Sequence, residues 1–481
     1  MTDLAELLDA RDVLDLAWMV VNGEVAAREL VEASIARIEE RNPTLNAVVA
    51  TRFEQALAEV DAGLPEGPLK GVPFVVKDLG CDVAGLPATR GSRLFADVVA
   101  AEDSELTRRY RAAGLVILGN TNSPEFGKNA STEPLLHGPT RNPWRTTHST
   151  GGSSGGTAAA VAGGMVPAGH GNDGGGSIRI PSSACGLFGL KPTRARTPSW
   201  PAPSFFSYPL SIGHALTRSV RDSAAILDAT AGGMPGDPFN APPTPRAGTF
   251  MAVLAEPPQA LRIGFSTTSA AGNPADPAVA AAIERMAEVC EELGHEVTEA
   301  RPTYDPGQVV EAVSVVMGAM SAAQVEERLA ELGRGLADDD LEPFVRFMHE
   351  RSLQMSAQDL NRALQGIEVV SRSVAEFFAD HDLWLCPTLN PRVPELGWLD
   401  TTSTEAMFTR AGAFSEMTAP SNVTGMPAMS VPAGHDDDGL PIGAQFVATH
   451  NREGILLQVA SQIEEVAPWP KIAPWPPAPG R

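Results

Sequence analysis

The chain has 481 residues, 43% hydrophobic and 20% charged, enough apolar material for a large buried core. Asp and Glu outnumber Lys and Arg by 59 to 36, and the net charge of −23 repels phosphate-rich partners, which excludes nucleic acid as the expected partner. The acidic start MTDLAELLDARD has no apolar centre, no run of 18 apolar residues follows, and the four cysteines are scattered without a C-x-x-C pair; together these predict a cytoplasmic protein with no membrane span and no structural zinc.

Taken in chain order, residues 26–41 (AARELVEASIARIEER) place Leu30, Val31, Ile35 and Ile38 on one helical face, and Asn42-Pro43 predicts the end of that helix. GVPFVVKD (71–78) is a β-branched apolar run that closes on Lys77. LVILG (115–119) is a second such run, preceded by the helix-like ELTRRYRAAG. Both read as buried parallel strands. From residue 261 the order repeats: LRIGF as strand, a helix with Asp276 as N-cap and Pro277 in its first turn, then HEVTEA as strand. Val279, Ile283, Met286, Cys290 and Leu293 recur at helical spacing before Gly294, which makes Cys290 a core residue. GGMPGDPFNAPPTPRAG (232–248) is a Pro/Gly-rich connection, and APWPKIAPWPPAPGR ends the chain with two Ala-Pro-Trp-Pro copies, read as a tail laid on the surface.

Strands alternating with helices predict an α/β fold: a mostly parallel mixed sheet covered by helices on both faces, in one large domain. Its expected parts are an N-terminal helical part (1–60), a catalytic core (61–231), a crossover (232–260) and a C-terminal half (261–466), followed by the tail (467–481). Chemistry in such sheets gathers beyond the carboxyl ends of the strands. Lys77 stands at one of those ends.

Two glycine-rich stretches carry the chemical signal, and three readings compete for them. GHGNDG (169–174) matches G-x-G-x-x-G, but a small-residue, helix-like segment precedes it and Pro181 comes too early for a phosphate-facing helix. GSSGG (152–156) matches the G-x-S-x-G elbow with Ser154 as nucleophile; that mechanism needs a histidine and an acid, for which His381 and His435 are the downstream candidates. The third reading starts from Gly174, Gly175 and Gly176, whose backbone N–H groups, unobstructed by any Cβ, can turn inward ahead of Ser177 and bind a tetrahedral oxyanion. Lysine replaces histidine as base if burial disfavours its charged form, and Lys77 closes an apolar strand. Ser153, held among glycines, supplies the hydroxyl that relays a proton from Ser177 to Lys77.

At this point GGSSGGTAAAVAGG through GNDGGGSIRIPSSACGLFGLKPT resembles the defining sequence of the amidase signature family, and GVPFVVKD, GNTNSPEFG, RNPW and NVTGMPAMSVPAGHDDDGLPIGAQFVA extend the likeness over nearly the whole chain. The resemblance implies a serine, cis-serine, lysine triad: Ser177 acylated, Ser153 bridging after a cis peptide, Lys77 as base. It implies oxyanion donors at Gly174, Gly175, Gly176 and Ser177, supporting positions at Ser154, Asp173 and Arg179, and a substrate contact at Gly127 beside that of Ser153. No metal and no cofactor are implied. Thr150 departs from the family pattern where proline is common, Gly174 where a larger residue is frequent, and Ala195 where glycine usually follows.

The expected partners are a small amide substrate and water, with a homodimer as the general expectation for such an enzyme. The wording GNDGGGSIRIP and the APW ending resemble free-standing bacterial amidases, among them the cyclic-dimer hydrolases of nylon oligomers; carbamate and aryl-acylamide hydrolases of the same family are alternatives. An amidotransferase subunit or a non-catalytic scaffold is the alternative from another class. The pocket is expected to draw on Gly127, on FFSYPL (205–210) and on VVMGAM (315–320), the last read first as a core helix.

Overall fold

The computed structural model describes residues 4–202, 209–256 and 259–478, so residues 205–208 of FFSYPL lie outside the described residues. Eleven strands build one sheet: β1 (Val48–Thr51), β2 (Pro73–Lys77), β3 (Val116–Thr121), β4 (Ala168–Asp173), β5 (Phe188–Lys191), β6 (Ile212–Thr217), β7 (Arg262–Phe265), β8 (Glu296–Glu299), β9 (Leu383–Pro387), β10 (Ala428–His435) and β11 (Pro441–Ala448). They lie in the order β1-β3-β2-β4-β6-β5-β10-β11-β9-β7-β8. The α/β class, the mixed sheet and the parallel pairing of β2 with β3 stand as expected. The parallel share is smaller than expected. Parallel pairing is confined to β3-β2-β4 and β9-β7-β8, while the central run from β4 to β9 and the β1 edge are antiparallel.

Sixteen α-helices among the described residues cover the two faces. The reason is visible in the side-chain alternation of each strand, which sends successive residues to opposite faces. Phe74 and Val76 of β2 enter one core cluster and Val75 another; Leu383 and Leu385 of β9 pack with the helices Val220–Thr230, Pro277–Glu292 and Glu453–Val466, whereas Trp384 and Cys386 pack with Pro306–Leu332 and Ala357–Phe377. A strand buried on both faces must be apolar throughout, which is why PFVV reads as a continuous run.

The helix Ala27–Leu45 runs past its expected stop: Pro43 lies inside it, and the chain turns only at Asn46, whose φ of 50° is left-handed. Asn42, expected to end the helix, instead ties the exit down, its side chain accepting from the N–H groups of Ala47 and Val48 and donating to the Val48 carbonyl. Asp276 caps the helix Pro277–Glu292 through the Ala278 N–H, and Cys290 is fully buried, both as expected. The helix Pro306–Leu332, which contains VVMGAM, is long and apolar enough to cross a bilayer by length and composition, yet Val309, Ala312 and Val316 pack into the cluster that holds Trp384. The tail lies along the body: the Trp469 indole N–H donates to the Arg218 carbonyl, and the Arg41 guanidinium sits 5.0 Å from the Trp475 ring centre.

Candidate active site

The sheet brings the two glycine-rich stretches to the end of β2. Lys77 is the last residue of β2 and Asp173 the last of β4, its parallel neighbour, so both side chains stand where the strands stop. Between them in sequence, Ser153 and Ser154 precede the helix Gly155–Ala162. Every residue of that helix is buried, and it seats itself by close backbone approach: a Cβ on Gly156 would come within 2.4 Å of the Asn122 nitrogen. An apolar helix without a polar face belongs inside a core. It fixes the two serines relative to the sheet.

Lys77 is fully buried, and its Nζ lies 2.7 Å from Ser153 Oγ and 2.6 Å from Asn172 Oδ1. Burial, which penalises the ammonium, pulls its pKa down to about 7 against the opposing pull of Asp173. Burial thus brings the free base within reach near neutral pH. The peptide from Gly152 into Ser153 is cis. Gly127 abuts the same hydroxyl: at φ +68° a Cβ there would stand 3.0 Å from Ser153 Oγ and 2.8 Å from Leu79.

Ser177 is half-buried on the loop after β4, and among the described residues its hydroxyl makes no hydrogen bond, to Ser153 or to any other group. Asp173 and Arg179 shape that loop. Both are fully buried and joined in a two-pronged pair, Arg179 Nε to Asp173 Oδ2 and Nη2 to Oδ1, each 2.9 Å. Asp173 also accepts from the backbone N–H groups of Gly176, Ile178 and Arg179. Although burial works against ionisation, the Arg179 charge and hydrogen bonds hold the Asp173 carboxyl well below the usual carboxylate range. Asn422 and Gln445 complete the mount, the first donating to Asp173 and the second accepting from Arg179.

One expectation needs correction here. The Gly176 N–H points 2.8 Å to Asp173 Oδ1 and so is not available to an oxyanion; a carboxylate is the stronger acceptor and holds it. Gly176 serves the loop by shape instead, since at φ +132° a Cβ would collide with the Thr418 side chain and Ile180. Among the described residues the N–H groups of Gly174, Gly175 and Ser177 have no such partner. At Gly174, one of the departures from the family pattern noted in the sequence, the Met317 methyl lies 2.5 Å from where a Cβ would stand.

The elbow reading finds no support. Ser154 is fully buried and its hydroxyl donates to the Asn172 carbonyl. His381 stacks on Phe377 and bonds its carbonyl, and His435 packs on Trp144; neither meets Ser154. The G-x-G-x-x-G stretch runs along β4 as a strand, with His170 fully buried, and not as a strand-to-helix turn. Asn172 is the residue that sequence reasoning missed. Its only signal was its place between two positions of a motif weighed for its glycines.

Comparison with known proteins finds likeness over nearly the whole chain. The Amidase family model matches residues 29–457. The chain is 37% identical over 477 residues to the 6-aminohexanoate-cyclic-dimer hydrolase of Paenarthrobacter ureafaciens, covering 95% of each, and 35% identical over 465 residues to an acylamidase of Rhodococcus erythropolis, again 95% of each. Among solved structures, a 6-aminohexanoate cyclic dimer hydrolase complexed with substrate superimposes with a TM-score of 0.92 at 36% identity, over 98% of this chain and 99% of that one. A bacterial aryl acylamidase of the amidase signature family gives 0.86 at 28% identity, over 96% and 97%.

Proposed function

Since the chain belongs to the amidase family and is a hydrolase acting on carbon–nitrogen bonds, we propose that it cleaves a small linear or cyclic amide through an acyl-enzyme on Ser177, with Ser153 and Lys77 carrying the proton. The observation that carries this reading is the buried amine of Lys77 at 2.7 Å from the Ser153 hydroxyl. Lys77 takes the Ser153 proton, Ser153 takes that of Ser177, and Ser177 Oγ adds to the amide carbon. The tetrahedral oxygen then receives N–H donors from Gly174, Gly175 and Ser177, each such donor contributing about 3 kcal/mol in the transition state. Collapse breaks the C–N bond while the proton returns through Ser153 to the departing amine. Water repeats the sequence in reverse to free the acid.

The 37% identity to the cyclic-dimer hydrolase supports a cyclic amide as the first substrate class to assay. An N-acyl or aryl amide is the second reading, supported by the 35% identity to the acylamidase. Ser177→Ala is expected to abolish both turnover and covalent labelling by a serine-directed phosphonate. Full activity in that variant ends the proposal, and an unlabelled, inactive wild-type protein points to the scaffold alternative.

A further inference from the structure

Among the described residues Lys77 Nζ hydrogen-bonds to two oxygens, and only one of them has a proton to give. Asn172 Oδ1 lies 2.6 Å from Nζ, and the other end of the same amide, Nδ2, donates to the Leu79 carbonyl at 3.1 Å. That second bond fixes which way the amide faces. Gly80, at φ +78°, makes room for it: a Cβ there would come within 2.6 Å of Asn172 Nδ2. An amide oxygen accepts and never donates, whereas an uncharged amine offers two hydrogens and one lone pair. The lone pair is repelled from the amide oxygen, so a hydrogen occupies that direction. Ser153, at 2.7 Å, is the remaining neighbour and owns the proton to be moved.

We infer that Asn172 is a positioning residue for the proton transfer: it takes one hydrogen of the Lys77 amine and so presents the lone pair to the Ser153 hydroxyl, without adding a charge that would restore the ammonium. The inference rests on the reading of Lys77 as base. Among the described residues no carboxylate forms an ion pair with the amine. Asp173, next in the chain, pulls the amine toward its charged form, but its carboxylate is engaged by the paired Arg179 and does not contact the amine. His170, on the same strand, is fully buried and held down to about 3 by burial, so it stays uncharged at neutral pH. Asp78, beside Lys77 in the chain, is pushed up to about 6 by burial and is occupied by the Thr89 N–H and hydroxyl. An uncharged acceptor at position 172 orients the base and leaves its affinity for protons low.

The test compares the pH dependence of kcat/KM in wild type, Asn172→Asp, Asn172→Ala and Lys77→Met, with melting temperature as the check on folding. Asn172→Asp has the same shape but carries a charge against the amine. Its acid limb should move to higher pH by about 1–3 units, the effect of an opposite charge at contact distance. Asn172→Ala should lower plateau kcat by about tenfold or more with KM kept, and its limb should not rise. A folded Asn172→Asp with the wild-type limb, or Asn172→Ala with the wild-type kcat, overturns the inference. If Asn172→Asp does not accumulate as folded protein, Asn172→Ala alone decides by its kcat. A limb that survives in Lys77→Met is a different failure, that of the base itself.

Discussion

Replacing Lys77 by methionine should destroy activity and at the same time make the protein more stable at pH 7. In the folded state burial holds the amine to about 7, while in the unfolded chain it titrates at its ordinary 10.5. Between those values the unfolded chain holds a proton that the folded one has given up, so native stability rises as pH climbs from about 7 toward 10.5 and is lowest below that window. A gap of 3.5 units corresponds to about 5 kcal/mol of penalty at and below neutral pH. Methionine fills similar space without the charge. It also forfeits the bonds to Ser153 and Asn172 and leaves Asn172 Oδ1 unpaired, which costs about 2–4 kcal/mol. The net gain is about 1–3 kcal/mol, or about 1 °C in Tm per kcal/mol for 481 residues. Thermal melts of both proteins at pH 6, 7, 8 and 9 read it directly: the variant should melt higher at pH 6 and 7, and the difference should shrink as pH rises. A variant that melts lower than wild type at pH 7, or by a margin that ignores pH, refutes the claim that burial holds this amine uncharged.

Gly127→Ala should keep the fold and lose about 100-fold in kcat, because its new methyl would press on the Ser153 hydroxyl from 3.0 Å and move it off line; circular dichroism with steady-state kinetics separates the two, and unchanged kcat would show that Gly127 does not bear on Ser153. Ala195 adopts φ +62° and is buried, in a position where the family resemblance leads one to expect glycine. Relief of about 1–2 kcal/mol of left-handed strain outweighs the added freedom of the unfolded chain, about 0.4–1 kcal/mol, so Ala195→Gly should raise the urea midpoint. A lower midpoint would show that the alanine methyl packs more favourably than its backbone is strained.

What the sequence makes legible here is local. The continuous apolar run of PFVV announces a strand buried on two faces, and a lysine closing it announces a charge carried to a strand end. Asp276-Pro277 announces a helix start, because cap and ring chemistry act within one turn. The antiparallel pairing of β4, β6 and β5 has no such signature, since its sense is set by connections through a helix and loops rather than by tight turns. The Pro43 reading failed because Asn42 and Asn46 make the helix exit through bonds to residues outside it. The Gly176 N–H was assigned to an oxyanion because three adjacent glycines look alike in sequence; only the fold shows that Asp173 has taken the third. Asn172 was invisible for the opposite reason, its partners being Lys77, 95 residues away, and Leu79.

The central claim is that Ser177 becomes a nucleophile because an uncharged Lys77 draws its proton through Ser153. Phosphonate labelling of Ser177, followed by mass spectrometry as a function of pH, measures that activation without any need to know the natural substrate. Labelling should rise with pH through a midpoint near the value of about 7 to which burial holds Lys77, and in Lys77→Met it should be slow at every pH with that limb gone. Rapid labelling of Ser177 in Lys77→Met, with the limb intact, would contradict it.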